Sequence, residues 1–243
     1  MIVGTSTTTS IRLVVTGSEG RMSSALRAVS RKDQRFVLLE TMGFRGCAKR
    51  KSQGENHPDN ADVIVDFTTE EGTAFALQIA SQESCAFLVG TTGLSRNIID
   101  KIENFAAEHP VMIAPNTSLG AVVMRFLVSQ TARILQSRCH IDLVERHHMH
   151  KRDAPSGTAI RLVESIREKA GIEIPPERVH SIRAGDICGE HEVEFSCPGE
   201  RLKILHTVTD RRVFALGALD AAAWLYQQPP GLHTLEEFLG IEP

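Results

Sequence analysis

The chain has 243 residues, 42% of them hydrophobic and 23% charged, which is enough material for one large domain or two modest ones with cores of their own. Its 27 Lys and Arg against 30 Asp and Glu leave a net charge of −3, so no broad positive field draws in nucleic acid or an anionic membrane surface, and neither is expected as a partner. No stretch reaches the roughly 18 to 20 unbroken apolar residues of a membrane-spanning helix.

Residues 1–10 begin Met1-Ile2-Val3-Gly4 and continue as a Ser/Thr run to Ser10, without the basic start or apolar length of a signal peptide, and read as a loose leader. A β-rich apolar run from Ile11 to Thr16 then meets Gly17-Ser18-Glu19-Gly20 and a helical pattern through Met22, Leu26 and Val29. Apolar runs at 36–39, 63–67, 86–89 and 111–114 alternate with helical stretches at 74–80 and 98–107, the pattern of a doubly wound parallel sheet. From Ala121 a long apolar helix runs to Leu135, and a strand at 141–144 leads into a histidine cluster. Alternation in His191–Phe195 and Arg201–Leu205 predicts antiparallel strands with one wet face, so a second, α+β domain is expected over 119–211. An alanine-rich helix from Gly217 to Tyr226 and an apolar patch at 235–239 return to the first domain, which therefore comprises 11–118 and 212–243. The cysteines, Cys47, Cys85, Cys139, Cys188 and Cys197, are odd in number and never spaced C-x-x-C, so they read as reduced thiols of a cytoplasmic protein.

A glycine turn between strand and helix brings backbone N–H groups to a pyrophosphate, and Gly17 and Gly20 are placed for that, although the strict G-x-G-x-x-G spacing fails at Glu19 and Met22. Gly90-Thr91-Thr92-Gly93 and Ala114-Pro115-Asn116-Thr117 also follow apolar runs and are expected at the same crevice, as is Asp66-Phe67-Thr68-Thr69. Phe67 itself reads as a core aromatic. For the choice between NADH and NADPH the signals conflict, because Glu40 suits a ribose hydroxyl while Arg45, Lys49, Arg50 and Lys51 suit a 2′-phosphate.

The richest segment runs from Glu145 through His147, His148, His150, Lys151, Asp153 and Ser156-Gly157-Thr158 to Ala159. Imidazoles exchange protons near neutral pH, Lys151 is a compact cation, and a helix opening on Ser156, Gly157 and Thr158 suits a carboxylate. A metal site is not expected: in an extended segment His147 and His148 point to opposite faces, no further ligand stands at a usual offset, and Lys151 would repel a dication.

Glu-x-His-His-x-His-Lys-x-Asp-Ala-Pro-Ser-Gly-Thr-Ala resembles the signature of the 4-hydroxy-tetrahydrodipicolinate reductase family. The likeness extends over nearly the whole chain, through Gly17-x-x-Gly20-Arg21-Met22, Asp66-Phe67-Thr68, Val89-Gly90-Thr91-Thr92-Gly93, Arg183-Ala184-Gly185-Asp186-Ile187-x-Gly189-Glu190-His191, Gly199-Glu200-Arg201-Leu202 and Phe214-Ala215-x-Gly217-Ala218. It implies a Rossmann-like dinucleotide domain, a second α+β domain for substrate binding and oligomerisation, and a homotetramer. It also implies that Gly17, Ser18, Glu19, Gly20, Arg21 and Met22, with Gly90, Thr91, Thr92, Ala114, Pro115, Asn116 and Thr117, hold NADH or NADPH. His147 would exchange a proton with the substrate, a cyclic imine dicarboxylate. Lys151 would be a second proton donor, and His148, Ser156, Gly157 and Thr158 would hold a carboxylate.

The implied reaction removes water from the cyclic hydroxy-imine and adds hydride at the ring carbon that carried the hydroxyl. Three features depart from the family: Ser23 in place of a glycine, which is expected to loosen the phosphate turn, a second-strand end at 38–43 without a clear acidic-basic pair, and short loops at 45–60 and 172–182. The competing readings are a nucleotide-binding redox sensor without catalysis and another two-domain dehydrogenase of small carboxylates.

Overall fold

The computed structural model describes residues 10–17, 20–39 and 60–242. In chain order the strands are β1 (Ile11–Val15), β2 (Phe36–Leu38), β3 (Val63–Asp66), β4 (Ala86–Val89), β5 (Pro110–Ile113), β6 (His140–His147), β7 (Val179–Arg183), β8 (Gly189–Cys197), β9 (Glu200–Val208) and β10 (Gly231–His233). The helices are α1 (Arg21–Ser30), α2 (Glu70–Glu83), α3 (Arg96–Ala106), α4 (Leu119–Leu135), α5 (Gly157–Ala170), α6 (Arg212–Leu225) and α7 (Leu235–Phe238). They form two compact units, one running up to Thr117 and resuming at Arg212, the other Ser118–Arg211.

The first unit is a six-stranded sheet in the order β10-β5-β4-β3-β1-β2, parallel throughout. Its central strands read as unbroken apolar runs because both faces are covered, and all four residues of β3 and of β4 are buried. Val14, Ile64, Phe87, Val89 and Val111 pack on one face with Ile79, Ile98 and Ile102 from α2 and α3. On the other face α6 packs against α1 and along β3, β4 and β5, and its buried Ala215, Gly217, Ala218, Ala221 and Ala222 allow close approach. Phe87 is fully buried in the first cluster, and its truncation to Ala is worth about 3–5 kcal/mol.

The second unit is a four-stranded sheet, β7-β6-β8-β9, with α4 and α5 packed on each other. Here the pattern alternates: Ile141 and Leu143 of β6 and Val193 and Phe195 of β8 face a core shared with Val128 and Ala132 of α4 and Leu162 and Ile166 of α5. Helix α5 starts on Ser156, whose hydroxyl accepts from the Ala159 N–H at 3.2 Å, and stops at Gly171 in the left-handed region, φ 67°.

Strands β8 and β9, foreseen from their alternation, pair antiparallel, while β7 pairs with β6 in parallel; β7 and β10 are short edge strands whose sequences show no apolar alternation. Two expectations need correction. The cysteines are not all reduced: Cys139 and Cys197 form a disulfide, because they extend the β6–β8 register one pair beyond His140↔Ser196 and so stand opposite each other. Cys85 and Cys188 are free, and Cys47 lies outside the described residues. Finally, Ser23 does not loosen the glycine turn. It is 1% exposed, and its hydroxyl donates to the Thr16 carbonyl at 2.8 Å, tying α1 to the end of β1.

Candidate active site

Among the described residues, those expected at the nucleotide crevice lie at the carboxyl ends of parallel strands of one sheet or at the start of α1. Gly17 follows β1, Gly90 and Thr91 follow β4, and Ala114 to Thr117 follow β5, with the strand order reversing between β1 and β3. Ser18, Glu19, Glu40, Arg45, Lys49, Arg50 and Lys51 lie outside the described residues. Gly17 adopts φ +82°, and a Cβ there would sit 2.8 Å from the Ser23 hydroxyl and 2.9 Å from the Thr68 methyl, so only glycine fits the turn. Gly20 caps α1 without a side chain, the first turn of α1 holds no acidic residue, and Arg21, exposed, and Met22, half-buried, begin it. This arrangement fits the pyrophosphate of a dinucleotide, which needs N–H groups, positive charge and room. Gly90 and Thr91 are buried and Thr92 is exposed; Ala114 is buried, Pro115 and Asn116 are half-buried, and Thr117 donates to the Phe214 carbonyl at 2.6 Å.

In the second unit, the alternation of β6 puts Glu145 and His147 side by side on its buried face. The His147 Nδ1 is hydrogen-bonded to the Glu145 carboxylate. Arg183, opposite His147 in the β6–β7 register, donates to both Glu145 oxygens, at 2.7 and 3.0 Å, and to the Asp153 carbonyl at 2.5 Å. Glu145 is wholly buried, which by itself raises its pKa, yet the hydrogen bonds from Arg183, Ser181 and His147 hold it down at about 2. Burial pulls His147 below its ordinary pKa, with Lys151 and Arg183 acting in the same sense and Glu145 opposing them. An ionised Glu145 requires a proton on Nδ1, which leaves Nε2 of a neutral His147 as the basic atom. Gly189 makes room there, since a Cβ would lie 3.2 Å from Nε2.

Around this pair, His191 stands edge-on to His147 with ring centroids 5.2 Å apart. The Ser156 hydroxyl accepts from the Ala159 N–H and is hydrogen-bonded to His191 Nε2 at 3.0 Å, while the buried His191 Nδ1 has no hydrogen-bond partner among the described residues. Burial pushes His191 down to about 4, keeping it neutral. Lys151 is paired with Asp153 at 2.8 Å. His148, half-buried, lies past the end of β6; burial lowers its pKa first, then the charges of Arg211, His150, Lys151 and Arg183. His150 is exposed. At the start of α5, Gly157 is exposed with nothing within 4 Å of a built Cβ, and Thr158 is half-buried. The unit therefore gathers His147, Lys151 and Ser156 with Glu145, Arg183 and His191. Reading the segment as a linear cluster missed the last three as partners; the period-two offset of Glu145 from His147 was the available signal.

Comparison with known proteins decides the family. Residues 11–117 match the family Dihydrodipicolinate reductase, N-terminus, and residues 120–239 match Dihydrodipicolinate reductase, C-terminus. The chain belongs to the dihydrodipicolinate reductase family. It is 33% identical over 243 residues to a 4-hydroxy-tetrahydrodipicolinate reductase of Alkaliphilus oremlandii, covering 94% of this chain and 98% of the relative. It is 39% identical over 198 residues to one of Anaeromyxobacter dehalogenans, covering 74% and 73%. A solved structure, the dipicolinate-bound dihydrodipicolinate reductase from Paenisporosarcina sp. TG-14, shares the fold with a TM-score of 0.77 at 20% identity, over 94% of this chain and 98% of that one. Among the described residues no helix is long and apolar enough to cross a membrane, and no three His, Cys, Asp or Glu side chains gather into a metal cluster.

Proposed function

We propose that this chain reduces 4-hydroxy-tetrahydrodipicolinate to tetrahydrodipicolinate in lysine and diaminopimelate biosynthesis, with His147 and Lys151 of the second unit as its proton-handling groups. The observation that carries the assignment is the Arg183–Glu145–His147 chain, which keeps a neutral imidazole oriented with Nε2 as its basic atom. Hydride addition to a cyclic imine develops charge on the ring nitrogen, and a proton delivered there stabilises it. His147 exchanges that proton through Nε2, and Lys151, steadied by Asp153, is the second donor. The start of α5 at Gly157 and Thr158, with His148, holds a substrate carboxylate through the positive end of the helix. Ser156 acts there as the helix cap and as the partner of His191, its hydroxyl being 2% exposed and engaged on both sides.

A pyridine nucleotide, NADH or NADPH, supplies the hydride when bound. The first unit is the dinucleotide domain, and Gly17 to Met22, Gly90 to Thr92 and Ala114 to Thr117 are its contacts in this reading. The second unit is the substrate and oligomerisation domain. Its edge strand β9 exposes Leu202 and Leu205, 47% and 55%, and β7 at the opposite edge exposes Ile182, which supports assembly as a homotetramer through this sheet. We place the reaction in the cytoplasm, where reduced nicotinamide is regenerated.

Replacing Lys151 by Ala tests the assignment. Turnover is expected to be lost with nucleotide affinity retained; loss of nucleotide affinity instead would put Lys151 in a different site.

A further inference from the structure

Asp66, the last residue of β3, is 0% exposed and no ion pair joins it to a described residue, yet it accepts four side-chain hydrogen bonds. Its Oδ1 accepts from the hydroxyls of Thr16 at 2.5 Å and Thr68 at 2.7 Å, and its Oδ2 from those of Thr73 at 2.5 Å and Thr91 at 2.8 Å. A carboxylate has about four acceptor directions, and here all four are filled. A threonine hydroxyl has one proton, so each of these residues has its side chain fixed by Asp66. Thr91, its proton given to Asp66, accepts from the Thr68 N–H at 2.9 Å with one of its two lone pairs.

The four donors come from separate segments. Thr16 leads into the glycine turn at Gly17, Thr68 follows β3, Thr91 follows β4 beside Gly90, and Thr73 lies in the first turns of α2. The glycines around them make this convergence possible: a Cβ at Gly72 would lie 2.3 Å from the Thr68 hydroxyl, and one at Gly17 would lie 2.9 Å from the Thr68 methyl. Three loops at the carboxyl ends of β1, β3 and β4 are thus tied to one buried carboxylate.

We infer that Asp66 is a positioning residue for the pyridine nucleotide, holding the turns after β1, β3 and β4 in the shape that receives it. It acts through Thr16, Thr68 and Thr91, which lie in those turns, whereas Thr73 ties the carboxylate to α2 alone; an anion behind the turn offers a phosphate no attraction of its own. The inference rests on the first unit being the nucleotide domain. A general structural role would make any lost hydroxyl equivalent, whereas a positioning role makes the effect depend on which segment is released.

Thr16 and Thr73 supply a matched pair. They are 2% and 0% exposed, each donates to Asp66 at 2.5 Å, and valine replaces either with its shape conserved, but only Thr16 leads into the phosphate turn. NADH and NADPH affinities of the unliganded protein are measured by calorimetry, with thermal midpoints, for wild type, Asp66→Asn, Thr16→Val and Thr73→Val. Asp66→Asn and Thr16→Val are expected to weaken nucleotide binding by about tenfold or more, with Thr73→Val binding as wild type despite a similar loss in midpoint. Equal affinities for the two valine variants, or an undiminished affinity in a folded Asp66→Asn, overturn the inference. If Asp66→Asn fails to fold, the valine pair decides. A wild-type protein that binds neither nucleotide overturns the domain assignment, and the inference with it.

Discussion

The Nδ1 of His147 is bonded to the carboxylate of Glu145, two residues earlier on the same strand, and that carboxylate is gripped by Arg183 from the neighbouring strand. Glu145 sets which imidazole nitrogen carries the proton and supports the charge of the imidazolium that forms. Replacing it by Gln removes the charge while keeping the size. Because Glu145 raises the His147 pKa against burial, its loss lowers that pKa further. Turnover of Glu145→Gln is expected to fall by about 100-fold, with the His147 limb of the pH–rate profile displaced to lower pH and nucleotide affinity unchanged. An undisplaced limb would show that the pair is structural only.

Acid stability should report His191. Its pKa falls from 6.5 in the unfolded chain to about 4 in the fold, so the unfolded state binds the proton more tightly. This contribution is full above pH 6.5 and is lost as pH falls toward about 4, amounting to about 3 kcal/mol at about 1.4 kcal/mol per unit. His147 and His206, also lowered by burial, act in the same direction. Thermal midpoints across that window should drop steeply for wild type and less for His191→Gln; parallel curves would contradict the assignment.

How far the sequence went depends on the kind of signal. The β1, β3, β4 and β5 runs were legible because burial on both faces leaves uniform apolar segments, and the start of α5 because Ser156, Gly157 and Thr158 open it. β7 and β10 were not, because Val179–Arg183 and the three residues Gly231–His233 carry no apolar alternation to read. In the site, His147 and Lys151 stood out through local density. Arg183 and His191 reach Glu145 and Ser156 only through strand pairing and side-chain contact across 38 and 35 residues, and no local pattern encodes such partners. Asp66 was seen as part of a motif at a strand end, but the convergence of four threonines on it required the fold.

The Cys139–Cys197 bond closes a sequence separation of 58 residues between two strands of the second unit. Such a cross-link typically stabilises by about 2–4 kcal/mol. A thiol titration of the denatured protein, prepared without reductant, should count two fewer thiols before reduction than after. Reduction should lower the thermal midpoint of wild type but not of the double variant Cys139→Ser, Cys197→Ser. Equal counts before and after would remove the bond from the account.

Gly90 is a steric prediction. A Cβ there would lie 2.1 Å from the Phe67 ring, which rests on this glycine as β4 ends. Gly90→Ala must displace that ring, at a cost of about 1–3 kcal/mol. Weaker nucleotide binding with the substrate KM at saturating nucleotide unchanged is the expected result; unaltered affinity would place this turn away from the nucleotide.

The most direct measurement follows the loss of reduced nicotinamide absorbance with 4-hydroxy-tetrahydrodipicolinate formed in situ by the enzyme that makes it, comparing wild type with His147→Ala under NADH and under NADPH. Turnover by wild type, abolished in a variant that still binds nucleotide, is the predicted result, and the two wild-type rates give the cofactor preference. Full activity in His147→Ala would contradict the assignment of proton transfer to the Glu145–His147 pair, and a wild-type protein that binds nucleotide without turning over this substrate would contradict the reductase reading itself.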